Sequence, residues 1–174
     1  MSKIVLFFLV SLVGCGKDNL REFYYNPDTF NEDQLSQLWY SVDLLNEITG
    51  CSQTPILVLK ESRSKFYKFN GRSELWLSND LEKNVGGLTT ASLFEVDIQI
   101  LNRTTSIRIV GQEVKELPFD FQSIFMHEFG HSFGLEHSKD DIDIMYESMR
   151  IYWDRPEVLA RFAEQLRTVG AYCK

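Results

Sequence analysis

The sequence predicts an α+β domain with a twisted mixed β-sheet, an N-terminal helix, a second helix that begins near residue 121 and a C-terminal helix. Apolar residues recur at helical spacing near both ends of the chain, whereas short segments between them alternate as strands do. With 174 residues, of which 44% are apolar, the chain can enclose one core but not two comfortable ones. A helix followed by several strands and then by two more helices is typical of the α+β class.

The first helix is predicted between Asn31 and Thr49, where Gly50 supplies a C-terminal stop. Its apolar face is formed by residues at three- and four-residue steps: Leu35, Leu38, Trp39, Val42, Leu45 and Ile48. Pro55 then opens the short apolar strand "ILVLK". The segment "KFYKFNGRSELWLS" indicates a hairpin, because Asn70-Gly71 suits a tight type I′ turn.

The second half of the chain predicts further strands and two helices. "GGLTTASLFEVDIQIL" contains extended segments at 87–92 and 95–101, and "SIRIV" predicts another strand. Asp120 is a suitable N-cap for a helix that begins at Phe121. "DRPEVLARFAEQLRTVG" predicts the last helix, with proline in its first turn and glycine past its end.

The N-terminal segment is predicted to be an export signal rather than part of the fold. An apolar run from Ile4 to Val13 is too short to span a bilayer comfortably, but it suits a secretory signal. "LVGC", ending at Cys15, resembles the bacterial lipobox. The interpretation is a lipoprotein signal peptide at 1–14, a lipidated tether at 15–22 and a single folded domain at 23–174. An ordinary signal peptide that happens to contain a cysteine is the alternative.

This resemblance implies an exported protein, anchored by its N-terminal lipid to the membrane of the bacterial cell envelope. Gly16 follows the cysteine where an aspartate would hint at inner-membrane retention, so the outer membrane is favoured. The formal charge of −7 disfavours nucleic acid as a partner. If Cys15 carries lipid, Cys51 and Cys173 remain, either as a disulfide or as two free buried thiols. We expect a monomer.

All three histidines of the chain lie within "FMHEFGHSFGLEHS". On a helix, His127 and His131 are one turn apart on the same face, so both imidazoles can converge on one metal ion. Glu128 can reach a water on that metal without being a ligand, and Gly134 can turn the chain so that His137 arrives as a third ligand. Three neutral nitrogen ligands leave one position open, as catalytic zinc requires. The alternative is an amphipathic helix with surface histidines.

The residues "HEFGHSFGLEH", 127–137, match the HExxHxxGxxH signature of metzincin metalloproteases, and Gly130 and Ser138 resemble the matrixin branch. Met145 followed by Tyr146 resembles the methionine turn of that family. "GGLTT" followed by "VDIQI" is similar to its edge strand and the neighbouring strand. By this resemblance, an extended peptide would bind along the candidate substrate strand: Leu88, Thr89, Thr90 and Ala91.

The resemblance implies a metzincin-like zincin domain and a zinc-dependent endopeptidase that acts on proteins or peptides. One catalytic Zn²⁺ would lie on the three histidines, with Glu128 as general base. Two alternatives stay open: a catalytically inactive metal-containing lipoprotein that binds protein or peptide, and a zinc hydrolase that acts on cell-wall peptides.

The sequence also departs from the matrixin pattern. Glu147 and Met149 stand where matrixins usually have proline and tyrosine, so the shape of the substrate pocket does not carry over. No histidine remains for a second, structural zinc. The loop "SKDDID" offers carboxylates for Ca²⁺, although such a loop is more often a solvated connection.

Overall fold

The computed structural model describes residues 20–53, 55–63, 71–81, 85–92, 95–102, 105–110, 113–118, 120–147 and 155–173. The predicted signal peptide, Cys15 and most of the tether lie outside these residues. The elements are, in chain order, β1 (Arg21–Tyr25), α1 (Glu32–Ile48), β2 (Leu57–Glu61), β3 (Glu74–Ser78), β4 (Gly87–Ala91), β5 (Val96–Leu101), β6 (Thr105–Val110), β7 (Glu113–Pro118), α2 (Phe121–Ser132) and α3 (Pro156–Thr168). Among the described helices, none has both the length and the apolar character needed to cross a membrane.

Five strands form a mixed sheet in the order β2-β1-β3-β5-β4. Four of them run parallel, and β4 pairs antiparallel with β5 at one edge. Strands β6 and β7 form a separate antiparallel pair. Together with the three helices, this arrangement confirms the predicted α+β class and the mixed sheet.

Strands β1 and β7 have no counterpart in the sequence prediction. Strand β1 begins at Arg21, two residues before the predicted start of the domain at residue 23, and it pairs with β2 along its whole length. The buried Phe23 and Tyr25 place this strand inside the sheet. The first arm of the predicted hairpin, before Gly71, lies outside the described residues. Its second arm is β3, whose neighbours in the sheet are β1 and β5.

Helix α1 begins and ends as its sequence predicts. The side chain of Asn31 accepts a hydrogen bond from the Gln34 amide at 2.8 Å, and the Gln34 side chain accepts one from the Asn31 amide at 3.0 Å. This capping box satisfies amides that the helix itself leaves unpaired. Leu38 and Leu45 are fully buried against the sheet, but Trp39, predicted on the same apolar face, is 42% exposed. Its ring packs edge-on against Tyr25 at the margin of the core.

Helix α2 is buried over nearly its whole surface, because it packs between the sheet and the remaining helices. Phe121, Phe125 and Phe129 all point into the core. Beyond α3, the chain returns to the end of α1, where the sulfur atoms of Cys51 and Cys173 are joined, with 5.0 Å between their Cα atoms. The Cys173 amide also donates a hydrogen bond to the Thr49 carbonyl at 3.1 Å.

Candidate metal centre and active site

Three histidine side chains converge at the C-terminal end of α2. The Nε2 atoms of His127 and His131, one helical turn apart, are separated by 3.1 Å. Gly134, with φ +87°, then reverses the chain, a conformation that a residue with a Cβ rarely adopts. The turn brings the His137 ring to centroid distances of 5.2 and 4.8 Å from the rings of His127 and His131. One nitrogen from each histidine lies within 4.8 Å of the others, and no other group of this kind occurs among the described residues.

Backbone carbonyls orient the two helical imidazoles. Nδ1 of His127 lies 2.7 Å from the Ile144 carbonyl oxygen, and Nδ1 of His131 lies 2.7 Å from that of Leu135. A carbonyl only accepts hydrogen bonds, so each Nδ1 carries the hydrogen and each Nε2 presents a lone pair. Two such lone pairs 3.1 Å apart repel each other unless a cation binds between them.

Burial also keeps these imidazoles neutral. The pKa of His127 falls to about 4, chiefly through desolvation and with a smaller contribution from the neighbouring histidines, against the opposing hydrogen bond to Ile144. Desolvation likewise lowers the pKa of His131, again with a contribution from His137. Metal ligands must be unprotonated, so a site made of neutral, converging nitrogens fits Zn²⁺.

The segment 138–145, which follows His137, is held by hydrogen bonds that fix the backbone around the carbonyl bound to His127. The Ser138 amide donates to the Met145 carbonyl at 2.8 Å. One oxygen of Asp143 accepts from the Met145 amide at 2.8 Å, and the other accepts from the Gln165 side chain of α3 at 2.6 Å. These bonds fix the backbone next to the Ile144 carbonyl that holds His127. Met145 itself is buried.

Gly130 provides the close approach between α2 and this segment. A Cβ on Gly130 would overlap the Met145 sulfur atom and would lie 3.1 Å from the Phe162 ring of α3. A larger residue would therefore push Met145 and α3 away from the histidine helix. This contact gives the first glycine of the motif a packing role.

The side chain of Glu128 extends from α2 toward strand β4. Its side chain is buried, and Oε2 lies 2.7 Å from the hydroxyl of Thr89, whose Oγ1 is also 2.9 Å from the Glu128 main-chain oxygen. A Cβ on Gly87 would come within 2.6 Å of Cγ and 2.7 Å of Oε1. Burial raises the pKa of Glu128 to about 7, although hydrogen bonds from Thr89 partly oppose the rise. The predicted base and the predicted substrate strand are therefore in direct contact.

The sequence prediction did not include Gly87 or the hydroxyl of Thr89 as contacts of the base. The sequence shows two glycines where β4 begins, Gly86 and Gly87, but it does not indicate which side chain packs against them. The acidic loop proposed for Ca²⁺ already has protein partners: Asp140 pairs with Arg161 and Asp143 binds Gln165. Calcium binding stays a prediction without support from these contacts.

The α+β fold and the three-histidine site fit a metzincin-type zinc metallopeptidase. The family model Peptidase_M10, described as Matrixin, matches residues 54–161, which is more than half of the chain. The chain therefore belongs to the matrixin family. A search of curated proteins found no match to it.

Proposed function

We propose that this chain is a zinc-dependent endopeptidase that hydrolyses internal peptide bonds of proteins or peptides. The observation that carries the proposal is the convergence of three imidazole nitrogens, two from α2 and one from the turn after it, beside the buried carboxylate of Glu128. Metal-assisted peptide hydrolysis needs a metal site with an open position and a base beside it. Membership of the matrixin family supports the same conclusion at the level of metallopeptidase activity.

Each residue of the site has a distinct role in the proposed reaction. His127, His131 and His137 would hold one Zn²⁺, which when bound lowers the pKa of a water ligand and polarises the scissile carbonyl. Glu128 takes the proton of the attacking water and delivers it to the leaving amine. In the metal-free protein, burial raises the pKa of Glu128 to about 7, which is the direction that a base acting near neutral pH requires.

The substrate is proposed to extend the sheet alongside β4, at Leu88, Thr89, Thr90 and Ala91. Gly86 O accepts from the Leu101 amide and the Ser92 amide donates to Glu95 O, so the even-numbered residues of this segment bond to β5. The odd-numbered amides consequently point away from β5. The Thr89 amide contributes a hydrogen bond to Glu128, and the Ala91 amide lies where a peptide backbone could pair with it.

The substitution Ala91→Pro tests this binding mode, because it removes an outward N–H and no ladder hydrogen bond. We expect KM for a peptide substrate to rise several-fold with kcat little changed. Unaltered kinetics in a variant that keeps its circular dichroism spectrum would refute pairing at this strand.

The main experiment measures zinc content and peptide cleavage together. The purified chain should bind one zinc and cleave an unfolded protein, whereas Glu128→Ala should keep the zinc and lose turnover. A chain that binds one zinc yet cleaves nothing across a broad peptide library would replace this proposal with the binding-module alternative. Cleavage confined to cell-wall peptides would instead favour the second alternative.

We further propose export and anchoring through lipid on Cys15, with the protein acting as a monomer. The sequence of residues 1–15 supports anchoring, and the Cys51–Cys173 bond is consistent with an oxidising compartment. In a bacterial host, the wild-type chain should incorporate labelled palmitate and sediment with membranes, whereas Cys15→Ser should do neither. Equal fractionation of the two would contradict lipid anchoring. Light scattering of the detergent-free Cys15→Ser chain should give a mass near one copy.

A further inference from the structure

Strand β4 contacts the Glu128 side chain at two positions. At Gly87 the missing Cβ leaves the space that Cγ and Oε1 occupy. Two residues further along, the Thr89 hydroxyl lies 2.7 Å from Oε2. Since Gly87 and Thr89 lie on the same side of the strand, the Glu128 side chain packs against that side of β4 at both positions.

The position of the Thr89 hydroxyl is itself well fixed. Threonine is stiff at χ1 because its Cβ is branched. The backbone of Thr89 is held opposite Ile98 in the β4–β5 ladder. The same hydroxyl lies 2.9 Å from the main-chain oxygen of Glu128, so its single hydrogen is shared between two acceptors of that residue, of which Oε2 is the nearer.

We propose that Thr89 is the positioning residue of the general base: its hydroxyl donates to Oε2 of Glu128 and thereby fixes the orientation of the carboxylate. The strand that binds the substrate backbone thereby also sets the direction of the base. A group held by a packed strand stays near its productive geometry, whereas a free glutamate side chain samples several rotamers. This inference rests on the proposed peptidase function.

The first test needs neither zinc nor substrate. Thr89→Val keeps the shape of the side chain and removes the hydroxyl. In chelated protein, this substitution should lower the urea midpoint in the wild-type background, because a buried carboxylate oxygen loses its donor. In a Glu128→Ala background, the same substitution should shift the midpoint by no more than half as much. Equal shifts in both backgrounds would overturn the proposed bond.

The second test uses a fluorogenic peptide that the wild-type chain cleaves. Thr89→Val should lower kcat about 10- to 100-fold, because small errors in the placement of a catalytic group are costly. KM should stay within about twofold and zinc content should be unchanged. Thr89→Ser, which restores the hydroxyl, should recover kcat to within about threefold of wild type.

The remaining outcomes separate this role from the alternatives. Thr168→Val is the matched control, because its hydroxyl bonds only to Gln165 O on the exposed side of α3, and it should behave as wild type. A serine variant as slow as the valine variant, or a change confined to KM, would overturn the positioning role. If the wild-type chain cleaves nothing, the proposed function fails, while the unfolding experiment still decides whether Thr89 holds Glu128.

Discussion

Glu128 and its neighbour His127 make opposing contributions to the stability of the chelated protein. Burial lowers the pKa of His127 from 6.5 to about 4 and raises that of Glu128 from 4.5 to about 7. The histidine contributes stability above its unfolded pKa and loses it as the pH falls toward 4. The glutamate contributes stability below its unfolded pKa and loses it as the pH rises toward 7. Between about pH 5 and 7 the two effects have opposite signs.

The magnitudes are similar, so they nearly cancel. Each displacement is about 2.5 in pKa, or about 3 kcal/mol at full extent. On acidification from about pH 7.5 to about pH 5, the unfolding free energy falls by about 2 kcal/mol because His127 becomes protonated in the unfolded chain. It rises by about 2 kcal/mol because Glu128 becomes protonated in the folded chain. This pair should therefore change the unfolding free energy of wild type by less than about 1 kcal/mol. Glu128→Gln abolishes only the second effect, so on the same acidification that variant should lose about 2 kcal/mol more unfolding free energy than wild type does.

Urea unfolding in the presence of a chelator, at these two pH values, measures the difference. Other groups titrate alike in both proteins, so the comparison isolates Glu128. Glu136→Gln serves as the matched control, because it removes an exposed carboxylate from the same motif and should follow wild type. If Glu128→Gln and wild type respond to acidification in parallel, the carboxylate is not buried as the structure places it and the reasoning fails.

Three further substitutions test the architecture around the site. Gly130→Ala should lower the unfolding free energy by about 1–3 kcal/mol in chemical denaturation, since its methyl group overlaps Met145; an unchanged value would contradict the close packing. Replacing Cys51 and Cys173 together by serine should lower the unfolding free energy by about 2–4 kcal/mol. If both cysteines of wild-type protein react with a thiol reagent after unfolding without reductant, no bridge forms. Losing a group that only hydrogen-bonds to a metal ligand weakens metal affinity by about 10–100-fold. His137→Ala removes a ligand itself, so it should weaken zinc affinity by more than this, as measured by competition with a chelator. Unchanged affinity would exclude His137 as a ligand.

The convergence of the three histidines could be predicted because it depends on local geometry. His127 and His131 follow from the helical repeat, and His137 follows from the positive φ of Gly134 two residues after the helix. The boundaries of α1 were equally accessible, since its N-cap and its terminal glycine act within one turn. Such features need only neighbours in the sequence.

Side-chain contacts between residues far apart in the chain could not be predicted from the sequence. The bond from Thr89 to Glu128 joins residues 39 positions apart, and it exists only because β4 packs across α2. The role of Gly130 likewise depends on where Met145 and Phe162 meet the helix.

Strand β1 was missed for a related reason. Its five residues begin with Arg21 and Glu22, so the apolar signal is short, and its place in the sheet comes from its pairing with β2 and β3.

The central claim is that one zinc site and Glu128 together hydrolyse peptide bonds. The most direct measurement compares wild type with Glu128→Ala, both carrying one zinc per chain, by mass spectrometry of an unfolded protein after incubation. New internal cleavage products should appear with wild type and be absent with the variant. Zinc-bound wild type that generates no products, or a variant that generates the same ones, would contradict the account.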